Sequence, residues 1–175
     1  MLNKRVEKAA IQILNEHNID SLPIPIQDLA FKRGLAVKPY DLGENVSGVL
    51  VINNGTGFIG YNPAESMVRQ RFTIAHELGH YELHNNDANN LFIDKQFKVE
   101  FRNEISSTGE MIYEREANAF AASILMPEKN LMDEIKNRHI DLSDDNNIQE
   151  LAKLFNVSVS AMTFRLINLK LLNQF

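Results

Sequence analysis

The sequence of 175 residues predicts an α+β fold, mainly helical, with a small antiparallel-containing sheet packed on one central helix and a C-terminal helix-turn-helix-like segment. Three observations predict it. Two β-prone runs, Val49-Leu50-Val51-Ile52 and Phe58-Ile59-Gly60-Tyr61, flank the turn-rich connector Asn53–Gly57, which is a hairpin pattern. From Asn62 to about His84, Phe72, Ile74, Ala75 and Leu78 make a helical stretch apolar nearly all round, as expected of a buried, central helix. Near the C-terminus, Ile148–Phe155 and Ala161–Leu172 read as two helices joined by Asn156-Val157-Ser158, with the cadence of a helix-turn-helix.

The remaining elements follow in order. Val6, Ala9, Ala10, Ile13 and Leu14 recur at helical spacing, so the N-terminus reads as an amphipathic helix that ends before Pro23 and Pro25. Ile26–Lys32 forms a short second helix stopped by Gly34, and Leu35-Ala36-Val37 a short strand. Asn62-Pro63-Ala64-Glu65 has the residues of a capping box with proline at the first helical position, which starts the central helix there. Leu91–Ile105 alternates enough to be loop, strand or short helix. Ser107-Thr108-Gly109-Glu110 is a second capping-box pattern, opening a helix that runs through Leu125 to a stop at Pro127. A further helix around Asn130–Arg138 leads to the polar stretch Ser143–Asn147, read as a linker. The expected organisation is a domain over residues 1–142 with a helical segment, 143–175, packed on it.

Composition narrows the function classes. An apolar fraction of 44% and a charged fraction of 23% suit an ordinary globular domain. With no cysteine, disulfides and thiolate metal sites are excluded, and any metal rests on His, Asp and Glu. A net charge of -5 argues against broad capture of nucleic acid, and the last helix offers only Arg165 and Lys170 for a DNA-facing patch, so direct DNA binding is not expected. No segment has the apolar length of a signal peptide or a bilayer span, so a cytoplasmic location without membrane contact is the expectation.

The chemistry sits in His76-Glu77-Leu78-Gly79-His80. Two histidines four apart on a helix project from one face a turn apart, which suits two imidazoles on one Zn²⁺. Glu77, next to the first histidine, is placed to take a proton from a water attacking a peptide carbonyl. Gly79 leaves space beside His80. A catalytic zinc needs a third protein ligand. His84 is four residues further on, but three such positions span about 11–12 Å of straight helix, too far for one ion. A second helix must supply the ligand, and the one opening at Ser107 carries Glu110, Glu114 and Glu116. Glu114 is favoured, because Asn118 lies one turn beyond it to orient an imidazole and Ala121, Ala122 and Leu125 continue an inward face. Glu110, in the first turn, and Glu116, on another face, remain the alternatives.

Arg69–His80, then Glu114-Arg115-Glu116-Ala117-Asn118-Ala119-Phe120-Ala121-Ala122, then Leu125-Met126-Pro127, resemble the ImmA/IrrE family of bacterial and phage metallopeptidases. The resemblance runs from the hairpin at Val46 to Pro127 and into the tail. It implies a zincin-like core with one Zn²⁺ per chain, held by His76, His80 and the Glu of a Glu-x-x-x-Asn helix, here Glu114 with Asn118 behind it. It further implies a site-specific endopeptidase whose substrate is a helix-turn-helix repressor of a mobile element, prophage or stress response. The alternative is a non-proteolytic regulator or DNA-binding protein with a structural or vestigial zincin site. The intact Glu77 speaks against it, since a structural zinc needs no base there.

Three further residues have two readings each. His84 either contacts substrate or the developing oxyanion, or interacts with a helix C-terminus. Tyr81 and Tyr61 are candidates for the same oxyanion role, or are ordinary half-buried tyrosines. The strand Phe58–Tyr61 reads as an edge that accepts a peptide by strand addition or as a core strand, and the two readings are compatible.

Overall fold

The computed structural model describes residues 4–53, 56–84, 89–95 and 109–172. Helix α1 (Lys4–Glu16) buries Val6, Ala10, Ile13 and Leu14, the apolar stripe of its sequence. Helix α2 (Ile26–Lys32) follows Pro25, and Gly34, at a φ of 86°, turns the chain into β1 (Leu35–Pro39). Strands β2 (Val46–Asn53) and β3 (Thr56–Tyr61) form the expected hairpin, and β4 (Asn89–Lys95) resolves part of the ambiguous Leu91–Ile105 stretch as a strand. The rest of that stretch, and Ser107-Thr108 of the second capping box, lie outside the described residues.

The sheet order is β1-β3-β2-β4, with β1 parallel to β3 and both other pairings antiparallel. The strand Phe58–Tyr61 is therefore interior, not an edge: β1 pairs with it on one side and β2 on the other. Among the described strands the edges are β1 and β4.

Helix α3 (Met67–His84) crosses the sheet and buries Thr73–His80 without a break. It begins later than the capping-box pattern suggests. Asn62 instead makes an Asx turn, its Oδ1 accepting from Ala64 N at 3.0 Å while its amide donates to Gly43 O and Val46 O. Glu65 accepts from the Ser47 hydroxyl at 2.8 Å, so both caps are taken by the turn and by β2. Ser66 then serves as the cap, Gln70 N donating to its carbonyl at 2.9 Å.

Helix α4 (Gly109–Leu125) packs along α3. Gly79 allows this: a Cβ there would lie 3.2 Å from the backbone of Ala117 and 3.1 Å from Phe120. Helix α5 (Glu128–Asn137) follows Pro127 directly. The expected linker Ser143–Asn147 is mostly helix, because Asp144 caps α6 (Asp145–Phe155) by accepting from Asn146 N. Asn156, left-handed at a φ of 51°, ends α6, and Ser158 caps α7 (Val159–Asn168) by accepting from Ala161 N. Ile148, Leu151, Phe155, Met162 and Leu166 share one core cluster with α1, α3 and α4. Arg165 is fully buried there, with Nη2 2.7 Å from Glu7 of α1 and Nε donating to Met126 O at 2.9 Å. It is thus closed to DNA. No helix among the described residues is long and apolar enough to cross a membrane.

Candidate metal centre

His76 and His80, one turn apart on α3, bring their Nε2 atoms to 3.0 Å. Glu114, reaching over from α4, sets one carboxylate oxygen 3.2 Å from His76 Nε2 and the other 3.2 Å from His80 Nε2. Both histidines are buried. The spacings approach the edge of a tetrahedron, roughly 3.3 Å, whose centre lies about 2.0–2.1 Å from each corner. His76, His80 and Glu114 could thus hold one metal ion.

Protonation fits the same purpose. Burial pushes His80 below the ordinary histidine range, the Glu114 hydrogen bond opposing and His76 adding to the shift. Burial alone would raise Glu114, but hydrogen bonds and charge from His76 and His80 outweigh it and bring the carboxyl down to about 2. A neutral imidazole and an ionised carboxylate are the forms that ligate a divalent cation. Two imidazole nitrogens and a carboxylate make a borderline-hard donor set, which suits zinc among other first-row metals.

Asn118 stands where its spacing from Glu114 puts it, with His76 Nδ1–H donating to its Oδ1 at 3.1 Å. That bond leaves the lone pair of His76 on Nε2, facing the other donors. Asn118 also lines a cavity of about 550 Å³ with Val68, Phe72, Ala119, Ala122 and Phe164.

Glu77 is fully buried beneath β2. Gly48 makes room for it: a Cβ at that position would lie 3.1 Å from Glu77 Oε1 and would collide with Thr73. Tyr61 is paired with Gly48 in the β2–β3 register and is half buried. Tyr81, by contrast, packs near Gly57, whose partner Ile52 is four residues along β2 from Gly48. It packs at the Gly57 end of the layer between α3 and the sheet, about 13 Å of strand away from Glu77's neighbour Gly48.

His84 is not on the open side of the cluster. It is buried behind His80, its Nδ1 3.2 Å from His80 Nδ1 and its Nε2 3.1 Å from Glu116 Oε2. The ring of Tyr113 covers it at a centroid distance of 4.4 Å. The substrate-contact reading of His84 therefore fails for a geometric reason: both ring nitrogens are engaged within the fold. Glu116 makes an inter-helix contact instead, to His84 of α3 and to Arg5 of α1 at 2.8 Å. Glu110 is at the N-terminal end of α4, one turn before Glu114. Sequence reasoning passed over Gly48, whose importance depends on a strand folding onto α3 and leaves no local signal.

A helix with paired histidines and an intervening glutamate, completed by a glutamate from a second helix, defines a metallopeptidase-type site. The chain belongs to the Peptidase M78 family, the IrrE N-terminal-like domain, which it matches over residues 31–167. It is also similar to an uncharacterized immunity region protein 2 of Bacillus phage phi105, 30% identical over 139 residues that cover 78% of each chain.

Proposed function

We propose that the protein is a zinc-dependent endopeptidase, cytoplasmic, that cuts a helix-turn-helix repressor at one peptide bond. The observation that carries the reading is the convergence of His76, His80 and Glu114 on one point, with Glu77 on the same turn of α3 as the histidines. When bound there, zinc supplies the Lewis acidity that lowers the pKa of a water and polarises a carbonyl. The chain's own residues do the rest. Asn118 holds the His76 ring in register, Glu77 accepts the proton of the attacking water and passes it to the leaving amine, and β2 shields Glu77 from bulk solvent. Tyr61, on the strand beside Gly48, is an oxyanion candidate. Residues 1–142 form the peptidase domain on this reading, and 143–175 a packed segment that contributes to recognition of the protein partner rather than of DNA or membrane.

The repressor as substrate is supported by the family and by the phage relative, whose name places that protein in an immunity region. The test is to incubate the zinc-loaded protein with a helix-turn-helix repressor encoded beside its gene. One cut, lost with a chelator and restored by zinc, is expected. A repressor that stays intact while binding the zinc-loaded protein would point to the non-proteolytic regulator instead.

A further inference from the structure

We infer that His84 and Glu116 are positioning residues for the metal centre, acting through His80. Hydrogen-bond roles fix the direction of the chain. A carboxylate only accepts, so Glu116 Oε2 takes the Nε2–H of His84 at 3.1 Å. If His80 ligates through Nε2, its proton is on Nδ1, and that proton is donated across 3.2 Å to the bare Nδ1 of His84. Each member then has one assigned role, and the relay delivers the His80 lone pair to the side where His76 Nε2 lies 3.0 Å away. Arg5 of α1 donates to the same oxygen of Glu116 at 2.8 Å, tying the N-terminal helix to the relay. The two ligand histidines are thus oriented by unlike devices, His76 by the Asn118 amide and His80 by an imidazole–carboxylate pair. The same geometry explains why a histidine unable to reach the ion still faces the cluster.

The inference rests on His80 being a metal ligand, and two measurements separate it from that reading. Zinc affinity is measured by competition with a chromophoric chelator for the wild type, His84→Leu and His84→Gln, with circular dichroism and thermal melts to confirm folding. His84→Leu is expected to bind zinc about 10–100-fold more weakly. His84→Gln should recover most of the loss, since its amide oxygen can accept from His80 while its NH₂ donates to Glu116. In parallel, long-range ¹H–¹⁵N NMR of the zinc-loaded wild type should show His80 protonated at Nδ1 and His84 protonated at Nε2 alone. A folded His84→Leu variant with wild-type affinity overturns the relay, as does a His84 protonated at Nδ1. The NMR result decides the matter if His84→Leu does not fold. Wild-type protein that binds no zinc overturns the ligand reading itself.

Discussion

At the residue scale, the site depends as much on a missing side chain as on those present. Gly48 lies over Thr73 and Glu77, and a methyl there meets both. Gly48→Ala is expected to cost about 1–3 kcal/mol, a fall in Tm of roughly 2–12 °C, and to reduce peptidase turnover through displaced Glu77 while zinc content is kept. A thermal melt with zinc analysis checks this, and unchanged Tm and turnover would show that β2 yields freely. The candidate ligand pair His76 and His80, and Glu114 with Asn118, were legible as local patterns one helical turn apart. Spacing only favoured Glu114 over Glu110 and Glu116, and the fold is what brings its carboxylate to the histidines. His84 was legible only by exclusion. Beyond His80, one turn back, its partners are Glu116, 32 positions away, and the Tyr113 ring, and no local periodicity reports a contact made across two helices.

At the element scale, the crossing of α3 and α4 sets the distance from Glu114 to the histidines. Gly79 faces the backbone of Ala117, three residues from Glu114. Gly79→Ala removes a helix-interior glycine, a gain of about 0.8–1 kcal/mol, but pushes α4 outward by a few tenths of an ångström. The two effects oppose each other in stability, whereas only the second acts on Glu114. The expected outcome is a Tm within a few degrees of wild type and zinc affinity reduced about tenfold (~1.4 kcal/mol). Unchanged affinity would separate the glycine from the metal site. Elements with their own periodicity, α1, α3 and the β2–β3 hairpin, were readable in the sequence. Those decided by tertiary partners were not. Asn62 and Glu65 have the composition of a helix cap, yet Ser47 and the Gly43 and Val46 carbonyls claim their side chains. The strand β3 looked free to be an edge until the parallel pairing of β1, separated from it in sequence, made it interior.

At the scale of the whole molecule, Arg165 joins α7 to α1 and to the end of α4 through Glu7, Ser123 and the Met126 carbonyl. Arg165→Met leaves Glu7 without its guanidinium and is expected to cost about 3–5 kcal/mol, whereas Glu7→Met with Arg165→Met together should recover much of it. Burial alone would raise the Glu7 carboxyl, but the bonds and charge from Arg165 and the Ser123 bond hold it below the ordinary glutamate value. Because the folded value is the lower one, the stabilisation is complete above the ordinary glutamate range and is lost as pH falls through the lowered value. The Tm gap between wild type and Glu7→Gln should therefore be widest near neutral pH and close on acidification. A gap that stays constant to pH 3 would remove Glu7 from the acid sensitivity. The whole assembly places one glutamate beside three converging donors, and its function is tested most directly by separating metal binding from proteolysis. Glu77→Gln and His76→Ala are purified beside the wild type, and bound zinc and repressor cleavage are measured on the same samples. The expected result is one zinc per chain and no cleavage for Glu77→Gln, and loss of both for His76→Ala. Cleavage by Glu77→Gln at the wild-type rate would contradict the proposed chemistry.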